Sequence, residues 1–224
     1  MQRVTIAYYR GINIKNILYF IIMLDKQIKK FPIIIISTPR SGSTALGEHL
    51  VNTYNLEWIS EPDSKNNTNI LLDLNHNEFV LKFHAYRITH YPRKIIEKIE
   101  LNDCFLIRIR RRNIVDQIAS VYIATKRNIY YYTNEIEYND VTEIDIKHIN
   151  RSINSVMYFN KCALLKFKYD MDLFYEDIED TLTLSIGVKT PKYILYEEIK
   201  DIIKQNLFQR QKRFHYILRD FEYI

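Results

Sequence analysis

The chain has 224 residues, 47% of them hydrophobic and 26% charged, and its Lys and Arg outnumber its Asp and Glu for a net charge of +5. That is the composition of an ordinary soluble globular protein, long enough for one α/β domain with a sizeable core, and its mild basicity favours anionic partners without arguing for nucleic acid. Two cysteines far apart, Cys104 and Cys162, match no metal-ligand spacing and suit core thiols in a reducing, cytoplasmic compartment.

Residues 1–30 read as an N-terminal helical segment packed on the domain, with the helix at Ile14 to Lys29. Its apolar run ILYFIIML, Ile17 to Leu24, is shorter than the ~20 residues that span a bilayer. It also lacks a small-residue cleavage site, so neither a membrane span nor a signal peptide is expected. Pro32 to Ser37 follows as a strand with no polar alternation, the pattern of a central parallel strand covered on both faces. Thr44 to Tyr54 has Leu46, Leu50 and Val51 at helical spacing, and EPDSKNNTN, Glu61 to Asn69, is a polar loop.

Further strands are expected at Glu78–Phe83, Cys104–Arg110 and Lys192–Tyr196. Helices are expected at Arg93–Ile99, Ile114–Thr125, Ile149–Tyr169 and Asp170–Gly187. Residues 126–148 are charged and rich in tyrosine and read as an excursion over the surface. Strands alternating with helices predict an α/β domain whose central, mostly parallel sheet is flanked by helices in three layers.

The segment TPRSGSTALGEHL, Thr38 to Leu50, joins the first strand to the first helix. Loops at the carboxyl ends of parallel strands are where such sheets bind ligands. A helix start there offers unpaired N–H groups and the positive end of its dipole to an anion. Gly42 permits close approach of the backbone, Ser41, Ser43 and Thr44 add hydroxyl donors, and Arg40 adds a charged fork. The nucleotide-triphosphatase signature GxxxxGK[ST] is absent, and the strand CFLIRIR ends in no carboxylate that would hold Mg²⁺. A second anion-binding pattern is RNIVDQIASVY, Arg112 to Tyr122. Arg112 and Ser120 are eight positions apart, a little over two helical turns, so both can border one groove.

These two segments, in this order, resemble the 5′-phosphosulfate loop and the 3′-phosphate motif of sulfotransferases, which use 3′-phosphoadenosine-5′-phosphosulfate (PAPS). YILYEEI, Tyr193 to Ile199, is similar to a third segment of that family. The resemblance implies a single sulfotransferase domain over residues 1–224 with a P-loop NTPase-like fold, PAPS as donor, 3′-phosphoadenosine-5′-phosphate (PAP) as product, and no metal. By position, Arg40 would act in catalysis by gripping the 5′-phosphate and the bridging oxygen, Ser41, Gly42, Ser43 and Thr44 would hold the 5′-phosphate, Arg112 and Ser120 the 3′-phosphate, and Tyr196 the adenine. The chain departs from the cytosolic branch at Ala45, where that branch carries Trp, and it lacks the glycine-rich RKG segment. The basic QRQKR, Gln209 to Arg213, stands near where that segment would be. These departures suit a shorter, bacterial or phage-type member.

Two residues compete for the role of base. VLKFHAY, Val80 to Tyr86, is similar to the family's KxH strand end, which makes His84 the base and Lys82 the group that steadies the sulfuryl being transferred. Strand periodicity puts both on one face, and imidazole is the side chain that ordinarily titrates nearest neutrality. SEPD, Ser60 to Asp63, resembles the Glu-Pro of other sulfotransferase branches, which makes Glu61 the base. A small-molecule kinase with a degenerate phosphate loop remains an alternative, as does a non-catalytic basic protein that binds nucleic acid or a phosphorylated partner. On the leading reading the acceptor is a small molecule or glycan, bound without nucleic acid or a membrane span; its identity and the oligomeric state have no readable code.

Overall fold

The computed structural model describes residues 22–24, 26–28, 30–60, 78–88, 96–97, 99, 104–128, 141–163, 167–186 and 195–210. In chain order they form β1 (Ile33–Ser37), α1 (Ser43–Tyr54), β2 (Glu57–Ser60), β3 (Phe79–His84), α2 (Ala85–Ile88), β4 (Phe105–Arg110), α3 (Ile114–Arg127), α4 (Ile146–Ala163), β5 (Met171–Phe174), α5 (Tyr175–Ile186) and α6 (Tyr196–Gln209). The five strands make one sheet in the order β2-β3-β1-β4-β5, and every pairing is parallel.

The isoleucine run of β1 lies at the centre, and all five of its residues are buried. Its unbroken apolar pattern follows from cover on both sides. Ile33 and Ile35 join Leu46 and Leu50 of α1 and Ile178 and Leu182 of α5 in one core. Ile34 and Ile36 face the opposite way, into a core with Leu81, Phe83, Ile88 of α2 and Ala163 of α4. Each such side chain withdrawn from water contributes about 1.5–3 kcal/mol. A third apolar cluster joins α3, α4 and α6 through Ile118, Tyr122, Ile153, Val156, Ile199 and Ile203. Cys104 and Cys162 are both buried free thiols within these layers.

Sheet order sets where the loops part. From β1 the chain turns through α1 toward β2, at one edge, whereas from β4 it turns through α3 and α4 toward β5, at the other. The loops leaving these two adjacent strands therefore diverge, which opens a crevice at their carboxyl ends. Register brings the third strand level with them: Ser37 pairs with His84 of β3 and with Ile109 of β4.

Several elements differ from the expectation. Residues 170–187 were expected as one helix, but the segment opens with β5 and only then becomes α5. The alternation in β5, with Met171 and Leu173 buried and Asp172 exposed, is too short to compete with the helical spacing that follows it. β2 was not expected either; it is a four-residue edge strand paired on one side only. α4 begins earlier than expected and ends at Ala163, before Tyr169. Tyr196 opens α6 where a strand end was expected. Of the expected helix at 93–99, residues 96, 97 and 99 are described and are helical; of the N-terminal helix, residues 22–24, 26 and 27 are. The polar loop at 61–69 and the tyrosine-rich residues 129–140 lie outside the described residues. Among the described residues, no helix is long and apolar enough to cross a membrane.

Candidate functional site at the strand mouths

The loop after β1 is shaped by two left-handed residues, Arg40 at φ 60° and Gly42 at φ 75°. Gly42 has a steric reason as well, because a Cβ there would fall 2.2 Å from Cδ2 of Tyr175. It forms the N-cap of α1, and among the described residues no side chain caps that helix start. An uncapped first turn is an arrangement that suits an anion. Thr38 and Ser41 are fully buried beneath the loop, and the Ser41 hydroxyl donates inward to the Thr38 carbonyl at 2.7 Å. What Ser41 can offer an anion is thus its backbone N–H.

Arg40 reaches across to α3, where its Nε donates to Ser120 Oγ at 2.9 Å. The two segments read separately from the sequence meet at this bond. Lys82 on β3 is only 2% exposed, and its Nζ donates to Thr44 Oγ1 at 3.0 Å. A buried ammonium is costly unless it is paired, so its position under the first turn of α1 adds positive charge where the helix dipole is already positive. Glu48, one turn further along α1 and exposed on the residue average, has its carboxyl pushed up by local desolvation, a shift that the Lys82 charge opposes.

His84 ends β3 with its Nδ1 3.3 Å from Ser37 Oγ. The Ser37 hydroxyl spends its hydrogen on the Phe83 carbonyl at 3.1 Å, so its oxygen is left to accept. The Ser37 oxygen is thus placed to accept from Nδ1. The ring stacks on Tyr86 at a centroid distance of 5.8 Å, and Tyr86 lies 4.6 Å from Phe159 of α4.

Arg112 is placed differently from Ser120. Its guanidinium pairs with Asp177 of α5 through Nη1 at 2.9 Å and Nη2 at 3.0 Å, and it stacks over the Phe174 ring at 4.3 Å. The neighbouring Glu176 accepts from the Arg112 and Asn113 N–H groups, each at 2.9 Å. Carboxylates of α5 thus already occupy donors at the start of α3. Tyr196 donates to Asp116 Oδ1 at 3.3 Å, and Lys200 meets the same oxygen at 3.1 Å. Burial and the Asp116 charge push the Tyr196 phenol well above its usual range. The Lys200 ammonium is raised too, because the Asp116 hydrogen bond and charge outweigh its desolvation.

The structure therefore brings together Arg40 with Ser120, Lys82 with Thr44, and His84 with the end of β1. It ties Tyr196 to the first turn of α3, and it turns Arg112 toward α5. Glu61 lies outside the described residues; its chain neighbour Ser60 is in register with Lys82. Sequence reasoning missed Ser37, Gln117, Glu176 and Asp177. Gln117 alone had a signal, as an amide beside Asp116 between the apolar pairs of IVDQIA, and the α5 carboxylates were hidden because β5 was not recognised. Among the described residues, no cluster of His, Cys, Asp or Glu side chains is arranged to hold a metal ion. No family model matches the chain, and no curated protein matches it in sequence.

Proposed function

We propose that the protein is a PAPS-dependent sulfotransferase of the P-loop-like type, which moves a sulfuryl group in line to a hydroxyl or amine of a small-molecule or glycan acceptor. The observation that carries this reading is the Arg40–Ser120 contact at 2.9 Å. It means that the loop assigned to the donor's 5′ end and the helix assigned to its 3′ end border one crevice, as a nucleotide with a phosphate at each end requires.

The remaining geometry supplies roles for the chemistry. The acceptor oxygen or nitrogen forms a bond to sulfur as the bond from sulfur to the bridging oxygen breaks, and PAP departs with the electron pair. Arg40 and the first-turn N–H groups of α1 lie where that leaving charge develops, the placement from which fixed donors act most strongly. His84 Nε2 takes the acceptor's proton, or Glu61 does so from the segment after β2. Lys82 holds positive charge beneath the transferring group. A 3′-phosphate at Arg112 replaces Asp177, and the exchange is favourable because an exposed ion pair is worth only about 0–1 kcal/mol whereas a phosphate brings more charge to the same fork.

The test is a thermal-shift titration with PAP, ATP and AMP, each with and without Mg²⁺. PAP alone should stabilise the protein, by about 2.7 kcal/mol at a hundred times its dissociation constant. Greater stabilisation by ATP with Mg²⁺ would replace the sulfotransferase reading with that of a phosphotransferase. In transfer assays, comparing His84→Gln with Glu61→Gln assigns the base.

A further inference from the structure

Between Arg112 and Ser120, α3 carries a glutamine with no exposed surface. Both donors of the Gln117 amide are spent on the loop after β1: Nε2 donates to Thr38 Oγ1 and to the Pro39 carbonyl, each at 2.8 Å. The Pro39 oxygen can only accept, so its position fixes which end of the amide faces the loop. At the other end, Oε1 accepts from Asn160 Nδ2 of α4 at 3.0 Å. That nitrogen also donates to the Val156 carbonyl at 3.0 Å, which orients Asn160 in the same way.

This network is expensive. Thr38, Ser41 and Gln117 are fully buried and Asn160 is 1% exposed, while Asn160 Oδ1 has no hydrogen-bond partner. Ile114, Ile118 and Val121 of the same helix are buried and apolar, so a leucine would follow the pattern of the helix. What a leucine cannot do is hold the two residues that precede Arg40. Arg40 is in the left-handed region at φ 60°, a conformation that costs a non-glycine residue about 1–2 kcal/mol. Gln117 grips the chain just before it, and Ser120, on the same helix face three residues on, holds its guanidinium. One helix thus sets both the backbone and the side chain of the loop's charged residue.

We propose that Gln117 is a positioning residue that, through Thr38 and Pro39, holds the 38–42 loop in the shape that receives the donor's 5′-phosphosulfate. The proposal rests on the sulfotransferase reading above and adds to it a residue that never touches the donor. Because α3 is anchored by its own apolar core, the effect is confined to the 5′ end.

Binding of adenosine 5′-phosphosulfate, adenosine 3′-phosphate and PAP is measured by calorimetry on the wild type, Gln117→Leu and Thr38→Val. Loss of the two buried hydrogen bonds to the loop in Gln117→Leu should weaken both 5′-substituted ligands by about tenfold or more and adenosine 3′-phosphate by less than about twofold. Thr38→Val breaks one of the two bonds and should show the same selectivity at about threefold, and it carries the test alone if Gln117→Leu does not fold. Equal losses for all three ligands, or no loss for any, would overturn the proposal while leaving the donor site standing. Failure of the wild type to bind any of them would remove the sulfotransferase reading and this proposal together.

Discussion

Arg112 and Asp177 form a two-bonded ion pair at the junction of β4 and α5, with N–O distances of 2.9 and 3.0 Å. The aspartate occupies the fork that the proposed 3′-phosphate needs, so it competes with the donor. The Asp177 side chain is 53% exposed, so the pair contributes little to folding. Asp177→Asn should therefore tighten PAP binding by about two- to fivefold, with an unchanged melting temperature and no effect on adenosine 5′-phosphosulfate. Weaker binding of PAP by this variant would mean that Asp177 orients Arg112 and does not compete for it.

Gly42 is constrained twice, by its left-handed φ of 75° and by the Tyr175 ring 2.2 Å from where a Cβ would stand. Gly42→Ala should cost about 2–4 kcal/mol, part from backbone strain and part from the clash. Adding Tyr175→Ala should recover the clash part only. Denaturant melts of the single and double variants separate the two terms, and a double variant no more stable than Gly42→Ala would show that the ring is not the obstacle.

Lys82 is a buried cation that donates to Thr44 Oγ1. Burying a charge opposes folding unless its partners compensate fully. Lys82→Met keeps the shape of the side chain, so the melting temperature should hold or rise while the proposed sulfuryl transfer should fall by about a hundredfold, the scale of one lost electrostatic donor. A sharply lower melting temperature with normal turnover would make Lys82 a structural residue.

The Asp172 carboxyl is held below its usual range: burial acts against this, but the Arg108 hydrogen bond and the Arg110 charge outweigh it. The folded chain thus binds the ionised form more tightly than the unfolded chain does. Its stabilising contribution is complete above the unfolded value near pH ~4 and disappears as the pH falls through the lower folded value. Asp172→Asn should melt below the wild type at pH 7, and the gap should narrow through acid unfolding below about pH 4. A gap that stays constant with pH would assign the loss to packing. Burial pushes the Tyr169 phenol up to about 12, with the Arg108 charge opposing the shift and the Asp172 charge adding to it.

Much of the sheet was legible because its central strands carry their own signal. Four consecutive isoleucines before Ser37 cannot be solvated on either face and called for a covered parallel strand, and the runs EFVLKF and CFLIRIR were each apolar enough to be expected as strands. The edge strands were not legible. EWIS and MDLF are four residues long, and each is a strand only because a longer neighbour offers it hydrogen bonds. Missing β5 hid Glu176 and Asp177, whose place beside Arg111 and Arg112 depends on the pairing of β4 with β5.

Residue type and local spacing alone determined that a glycine-bearing loop follows a buried strand, that an Arg stands just before a helix whose second turn carries a Ser, and that Lys82 and His84 share one strand face. Those are short-range consequences of steric freedom, helix pitch and strand pleat. Only the tertiary structure decided that Arg40 bonds Ser120, that Arg112 turns to α5, and that a buried amide joins the loop to two helices. Each of these depends on which strands are neighbours in the sheet, and that order is set by how the covered faces pack, at sequence separations no local pattern encodes.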